Sequence, residues 1–237
     1  MSKRIWELDA FRGLCILGMV AVHLVFDLVE LYGLVQWEYP AIFTAVSNWG
    51  GVLFLGLSGI CVTLGSHNLR RGAVVFGCGM LCTAVTAAMY HLGMAGSGII
   101  IRFGVLHCLG ICMMAWSVCR HLPVWAAAVF GTVIAVSGVL LFGRLQADIP
   151  WLVPLGILYP GFTSADFFPL FPHFGFFLLG SALGKKLYGE KTTLFPSISP
   201  GILPIRFLCW CGRQSLLIYL LHQPVLSVFL YIAAGII

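Results

Sequence analysis

Seven stretches of the chain stay apolar for about 20 positions, the length an α-helix needs to cross a bilayer core of about 30 Å. They lie at about 11–32, 44–66, 72–91, 98–119, 123–143, 171–188 and 207–235. This pattern predicts an all-α integral membrane protein, a bundle of about seven transmembrane helices in a single domain over 1–237. Most connections are short. Two are longer: 144–170, rich in Pro, Trp and Phe, and 185–206, KKLYGEKTTLFPSISPGILPIR, basic and Pro-rich. No polar stretch is long enough for a soluble domain, and there is no internal repeat. No small-residue cleavage site follows the first apolar run, so that run is expected to stay as a span.

The first span breaks its own pattern. LDAFRGLCILGMVAVHLVFDLVE (8–30) carries Asp9, Arg12, His23, Asp27 and Glu30. At 100° per residue, Arg12 and His23 lie about 20° apart after three turns, and the other three fall within about 40° of His23. Ile16, Met19 and Val20 share or flank the stripe. With Arg12 at one boundary, His23 lies about 16 Å deeper, near the midplane. Charges at that depth are costly unless paired or wetted, and they mark functional paths. His23 is therefore the candidate general base, with Asp27 one turn on to hold its ring. The plainer readings stay open: a snorkelling anchor for Arg12, a helix-end charge for Glu30, and a structural pair for His23 and Asp27.

Other spans supply partners for this stripe. Arg102 is expected near the outer end of the fourth span, with His107 deeper. Tyr219 and His222 share a face of the last span with Ser215, and Gln223 follows. Pro224 is expected to kink that helix. Asn48, Asp166 and His173 lie near outer ends; His67, His91 and His121 read as surface residues. His23, Asp27, Arg102, His107 and His222 are expected to converge around a polar cavity in the outer half. Arg102, His107, Tyr219, His222 and Gln223 would bind an acceptor there. Arg12, Arg213 and Asp9 would form a cationic inner mouth, and arginines suit phosphates.

Composition narrows the class. The chain has 237 residues, 60% of them hydrophobic and only 9% charged. Its mean hydropathy is +1.02. The nine cysteines are odd in number and sit in apolar runs, which argues against a disulfide framework or a zinc site. With the N-terminus in the cytoplasm, eleven of the 13 Lys and Arg fall at or near the inner face, and only Arg102 and Arg144 fall outside. The C-terminus is then outside, and the net charge of +5 reflects topology rather than a nucleic-acid footprint.

The stretch LDAFRGLCILGMVAVHLVFDL resembles the first helix of the transmembrane acyltransferases. More narrowly, it resembles bacterial relatives of the heparan-α-glucosaminide N-acetyltransferase catalytic domain. The Arg12-to-His23 spacing also matches the first-helix motif of the acyltransferase-3 group. VLFLGLSGI (52–60), IRFGVLHCLG (101–110), FFPLFPHFGFFLLGSALGKK (167–186) and GRQSLLIYLLHQPVL (212–226) continue the likeness. The resemblance implies transfer of an acyl group, acetyl foremost, from cytoplasmic acyl-CoA across the membrane to a hydroxyl or amine acceptor, foremost a sugar. It implies CoA phosphates at the arginine-rich mouth and a place in the bacterial cytoplasmic membrane; no metal is expected. In the lysosomal enzyme Asn matches His23, and the active histidine lies in the loop after the first helix. This chain has no histidine from 24 to 66, so the base role of His23 follows the acyltransferase-3 pattern.

Trp151, Tyr159 and Phe162, in the outer connection, are candidates to stack on a sugar ring. Lipid is the expected surroundings, and association into a homo-oligomer stays open. Two rival classes use the same residues. A proton-coupled transporter or flippase also needs intramembrane His, Asp and Arg. A b-type cytochrome would take haem on His23, His107 and His222.

Overall fold

The computed structural model describes residues 4–235. Lys3, counted above with the inner-face charges, lies outside the described residues. Among the described residues eight α-helices form: α1 (Trp6–Phe26), α2 (Ala41–Leu64), α3 (Asn68–His91), α4 (Val105–Cys119), α5 (Val124–Leu140), α6 (Leu170–Leu187), α7 (Leu203–Arg213) and α8 (Ser215–Ala234). A π-helical turn, Asp27–Leu31, extends α1. Among the described residues no strand forms, only isolated bridges such as Phe103 with Phe167.

Among the described residues four helical stretches are long and apolar enough to cross a membrane: Trp6–Leu31, Ala41–Leu64, Asn68–His91 and Ser215–Ala233. The expected seven spans are thus not all present at full length. Helices α4 and α5 are apolar but have only 15 and 17 residues, or about 22 and 26 Å. Helix α4 starts late because 100–104 stay out of the helix, with Gly104 as an extended N-cap. Arg102 therefore sits on the connection before the helix rather than on the helix itself. The last expected span is two helices. The break falls at Gln214, whose N–H still reaches the Trp210 carbonyl at 3.0 Å while its own carbonyl accepts from Ile218 at 2.9 Å. Helix α8 continues through Pro224, where a kink was expected.

The helices group into two compact units, one of 4–54 with 191–235 and one of Leu55–Glu190. In the first, α7 crosses the start of α1 backbone to backbone. Gly13 faces the Leu208 carbonyl and Gly212 faces the Asp9 carbonyl, and a Cβ at either place would overlap that backbone. Helices in lipid gain no hydrophobic drive from meeting, so small residues that permit close approach carry the packing. Gly59 of α2 against the Phe177 carbonyl of α6 repeats the device in the second unit.

Large apolar side chains remain outside, among them Val118 at 82%, Trp125 at 70% and Phe229 at 63% exposure. An apolar coat of this extent is suited to lipid rather than water.

Candidate functional site

The start of α1 and one face of α7 enclose a half-open cavity of about 590 Å³. Leu203, Arg206, Phe207, Trp210 and Arg213 line it from α7. Their spacing of i, i+3, i+4, i+7 and i+10 puts them on one side of that helix. Arg4, Trp6 and Asp9 line it from the α1 side. Three guanidinium groups thus face one carboxylate, and the Arg4–Asp9 pair is loose at 3.9 Å. The interleaving of arginines with Trp6, Phe207 and Trp210 gives a wall that can hold phosphates and a planar ring together.

Glu7 fastens the rim of this cavity. Its carboxylate accepts the Leu194 N–H at 2.8 Å and the Thr193 hydroxyl at 2.9 Å, and Phe195 packs 6.3 Å from Trp6. Acidic residues suit the first turn of a helix, where the backbone N–H groups lack partners. The buried indole N–H of Trp6 finds no acceptor among the described residues.

Asp9 and Arg213, two of the residues expected at a cationic inner mouth, line this cavity. Arg12 is half-buried one turn beyond Asp9 and is not among the lining side chains. Arg4, Arg206, Trp6 and Trp210 were missed. The signal is present in LPIRFLCWCGR, whose arginines and aromatics repeat at helical spacing, but the segment straddles the expected 185–206 connection and the last expected span.

Deeper along α1, the polar residues meet α8. His23 Nδ1 lies 2.7 Å from His222 Nε2. His222 Nδ1 lies 2.5 Å from the Tyr219 carbonyl one turn back. Asp27, 2% exposed, accepts from Gln223 Nε2 at 2.8 Å. The Tyr32 hydroxyl donates to the Ser227 carbonyl at 3.3 Å. Contacts 23–222, 27–223 and 32–227 rise together, so α1 and α8 run parallel here. The expected His23–Asp27 pair is replaced by two bonds to α8. Asp27 opens the π-helical turn and its carboxylate is taken by Gln223, while the ring of His23 is taken by His222. A π turn in a membrane helix is uncommon and often marks a functional site.

Arg102 and His107 belong to the other unit. Arg102 is exposed, and its Nε donates to the Thr163 carbonyl at 3.1 Å. His107, 2% exposed, takes the Gly104 N–H on Nδ1 at 3.1 Å. Its Nε2 meets the Thr83 hydroxyl at 3.2 Å, and that hydroxyl donates to the Ile101 carbonyl at 2.6 Å. Asp166 accepts the Val105 N–H at 2.9 Å. His107 and Asp166 thus satisfy the first orphan N–H groups of α4. Of the aromatic candidates, Trp151 stands 84% exposed, while Tyr159 packs edge-on against Phe162. Among the described residues no group of three or more His, Cys, Asp or Glu is arranged to hold a metal.

The model of one protein family, described as heparan-alpha-glucosaminide N-acetyltransferase, catalytic, matches residues 4–224. No curated protein and no solved structure matches the chain.

Proposed function

The chain belongs to the heparan-α-glucosaminide N-acetyltransferase catalytic family, and from that premise we propose that it is a multi-pass membrane acyltransferase that uses acyl-CoA. The donor is acetyl-CoA or a close acyl homologue, entering from the cytoplasm. The acceptor is a sugar or another hydroxyl or amine compound at the outer face of a bacterial cytoplasmic membrane. The N-terminus lies inside, so that the basic cavity faces the cytoplasm.

The observation that carries this reading is that one helix, α1, joins two kinds of chemistry. Its start lines a cavity with three arginines and two tryptophans. His23 lies on the same helix fourteen residues beyond Asp9, or about 21 Å. In the proposal Arg4, Arg206 and Arg213 hold the CoA phosphates and the adenine lies against Trp6 or Trp210. The unsatisfied Trp6 N–H is a donor that a ligand can complete. Arg12 marks the way inward for the pantetheine arm. The thioester then reaches His23, which takes the proton from the acceptor as that group attacks the carbonyl.

Calorimetric titration of the detergent-solubilised protein with CoA tests the donor site. A charge-assisted contact to phosphate is worth about 1.5–3 kcal/mol, so Arg206→Ala is expected to weaken CoA by about 10- to 100-fold. Unchanged affinity in Arg206→Ala and Arg213→Ala together would remove the cavity from the donor site.

A further inference from the structure

The two histidines of the first unit divide one task. We infer that His222 is the positioning residue that sets the tautomer of His23 and leaves His23 Nε2 unprotonated, as a base requires. The inference rests on the acyl-transfer reading for what that base does, but not for how it is built.

The Tyr219 carbonyl oxygen can only accept, so the His222 Nδ1 beside it carries the proton. A neutral His222 then has a lone pair on Nε2. His23 Nδ1 lies 2.7 Å from that lone pair and must supply the hydrogen. Neutral His23 therefore has its own lone pair on Nε2.

The ring geometry suits such a bond. The rings are 15° from parallel with centroids 4.9 Å apart. That separation is the nitrogen–nitrogen contact plus one ring radius on each side. The imidazoles thus meet edge to edge, with the hydrogen along the lone pair, rather than face to face.

The neighbouring bonds hold this register. Asp27 to Gln223 and Tyr32 to Ser227 fix α8 against the end of α1 on the same side. Asp27 therefore acts on His23 at one remove, by placing the helix turn that carries His222.

The proton bookkeeping closes on these groups. His23 Nε2 takes a proton from the acceptor O–H or N–H while the acceptor's lone pair attacks the thioester carbonyl. The C–S bond breaks and the electron pair leaves with CoA. His23 is then an imidazolium, whose Nδ1–H bond to His222 becomes charge-assisted. The proton on Nε2 passes to the CoA thiolate, which restores the starting tautomer.

Histidine-selective ¹⁵N NMR on the full chain in detergent reads the tautomer without any substrate. Wild-type His23 is expected to show a protonated Nδ1 and a bare Nε2. His222→Phe removes the acceptor and is expected to shift His23 toward the Nε2–H form. His222→Gln keeps an acceptor oxygen and is expected to preserve the bare Nε2. With acetyl-CoA and glucosamine as probes, kcat in His222→Phe is expected to fall about 10- to 100-fold, as when a metal-bound histidine loses the partner that fixes its ring, and less than where a substituted donor imposes the wrong tautomer, at unchanged KM for acetyl-CoA. Wild-type His23 protonated on Nε2, or a tautomer that His222→Phe leaves unmoved, overturns the inference. The expected tautomers in a wild-type protein that transfers no acetyl group support the pairing and overturn the acyl-transfer reading instead.

Discussion

His23 and His107 both sit in apolar helices, and both are drawn away from water, yet the protein uses them differently. His107 spends both ring nitrogens on its own scaffold. Nδ1 takes the Gly104 N–H and Nε2 meets Thr83, which passes the bond to the Ile101 carbonyl. Its ring closes the start of α4. His23 makes its bond through Nδ1 to another ring that is itself anchored on a carbonyl. His107 is a cap on its own scaffold, whereas the bond of His23 ties α1 to α8. His107 is buried and His23 only partly so, and the sharper difference is which nitrogen is occupied, and by what.

The largest effect that could break this contrast is on turnover. His23→Ala is expected to lose about 10²–10⁴ in rate, the usual worth of general-base assistance. CoA affinity should hold, because the arginine cavity lies toward the other end of α1. Acetyl transfer and CoA titration on the same preparation measure both. Near-normal turnover by His23→Ala would end its role as base and move the search to His222 and His107.

The complementary substitution acts on stability. His107→Ala strands the Gly104 N–H and leaves Thr83 with a single bond, in surroundings that are nearly dry. A buried polar group without its partner costs about 1–3 kcal/mol. Thermal unfolding in detergent should show that loss, while turnover per folded molecule stays near wild type. A His107→Ala protein of normal stability but no activity would reverse the assignment.

Much of this was legible in the chain. The apolar runs gave helices within a few residues for α1, α2, α3, α5 and α6, because lipid-facing helices need long apolar stretches and little else. Helix α4 was read too long because Ile99, Ile100 and Ile101 are as apolar as a span. The tertiary bonds of Ile100 and Arg102 to Ser164, and of Ile101 to Thr86, show that the segment is extended. The α7–α8 break was hidden for a related reason. Gly212 and Arg213 are weak stop signals inside an apolar run, and Gly212 also serves the close approach to the Asp9 carbonyl of α1.

Among the site residues, the stripe on α1 was visible from spacing alone. The pairing of that stripe was not. His23 to Asp27 is the natural i, i+4 guess, whereas the actual partner of His23 is 199 residues away. Periodicity reports which residues share a face, and cannot say which of them a second helix will claim. The cavity was half visible: Arg213 and Asp9 were singled out, but Arg206 and the two tryptophans needed α7 to be a helix of its own.

The smallest expected effect is the sharpest test of the pairing. Asp27→Asn keeps an oxygen that can accept from Gln223 Nε2, so the α1–α8 register should survive with a loss of about 0.5–1.5 kcal/mol at most, the difference between a charged and a neutral acceptor. If His222 orients His23, this change reaches the base only through helix placement, and turnover should fall no more than about tenfold. If Asp27 itself oriented His23, the same change would impose the wrong tautomer, an error that in a hydrolase triad costs about 10⁴. The two arrangements therefore differ by about three orders of magnitude in one assay. Acetyl transfer by Asp27→Asn beside His222→Phe ranks the two residues directly. A larger loss in Asp27→Asn would return the orienting role to the carboxylate and leave His222 a packing partner.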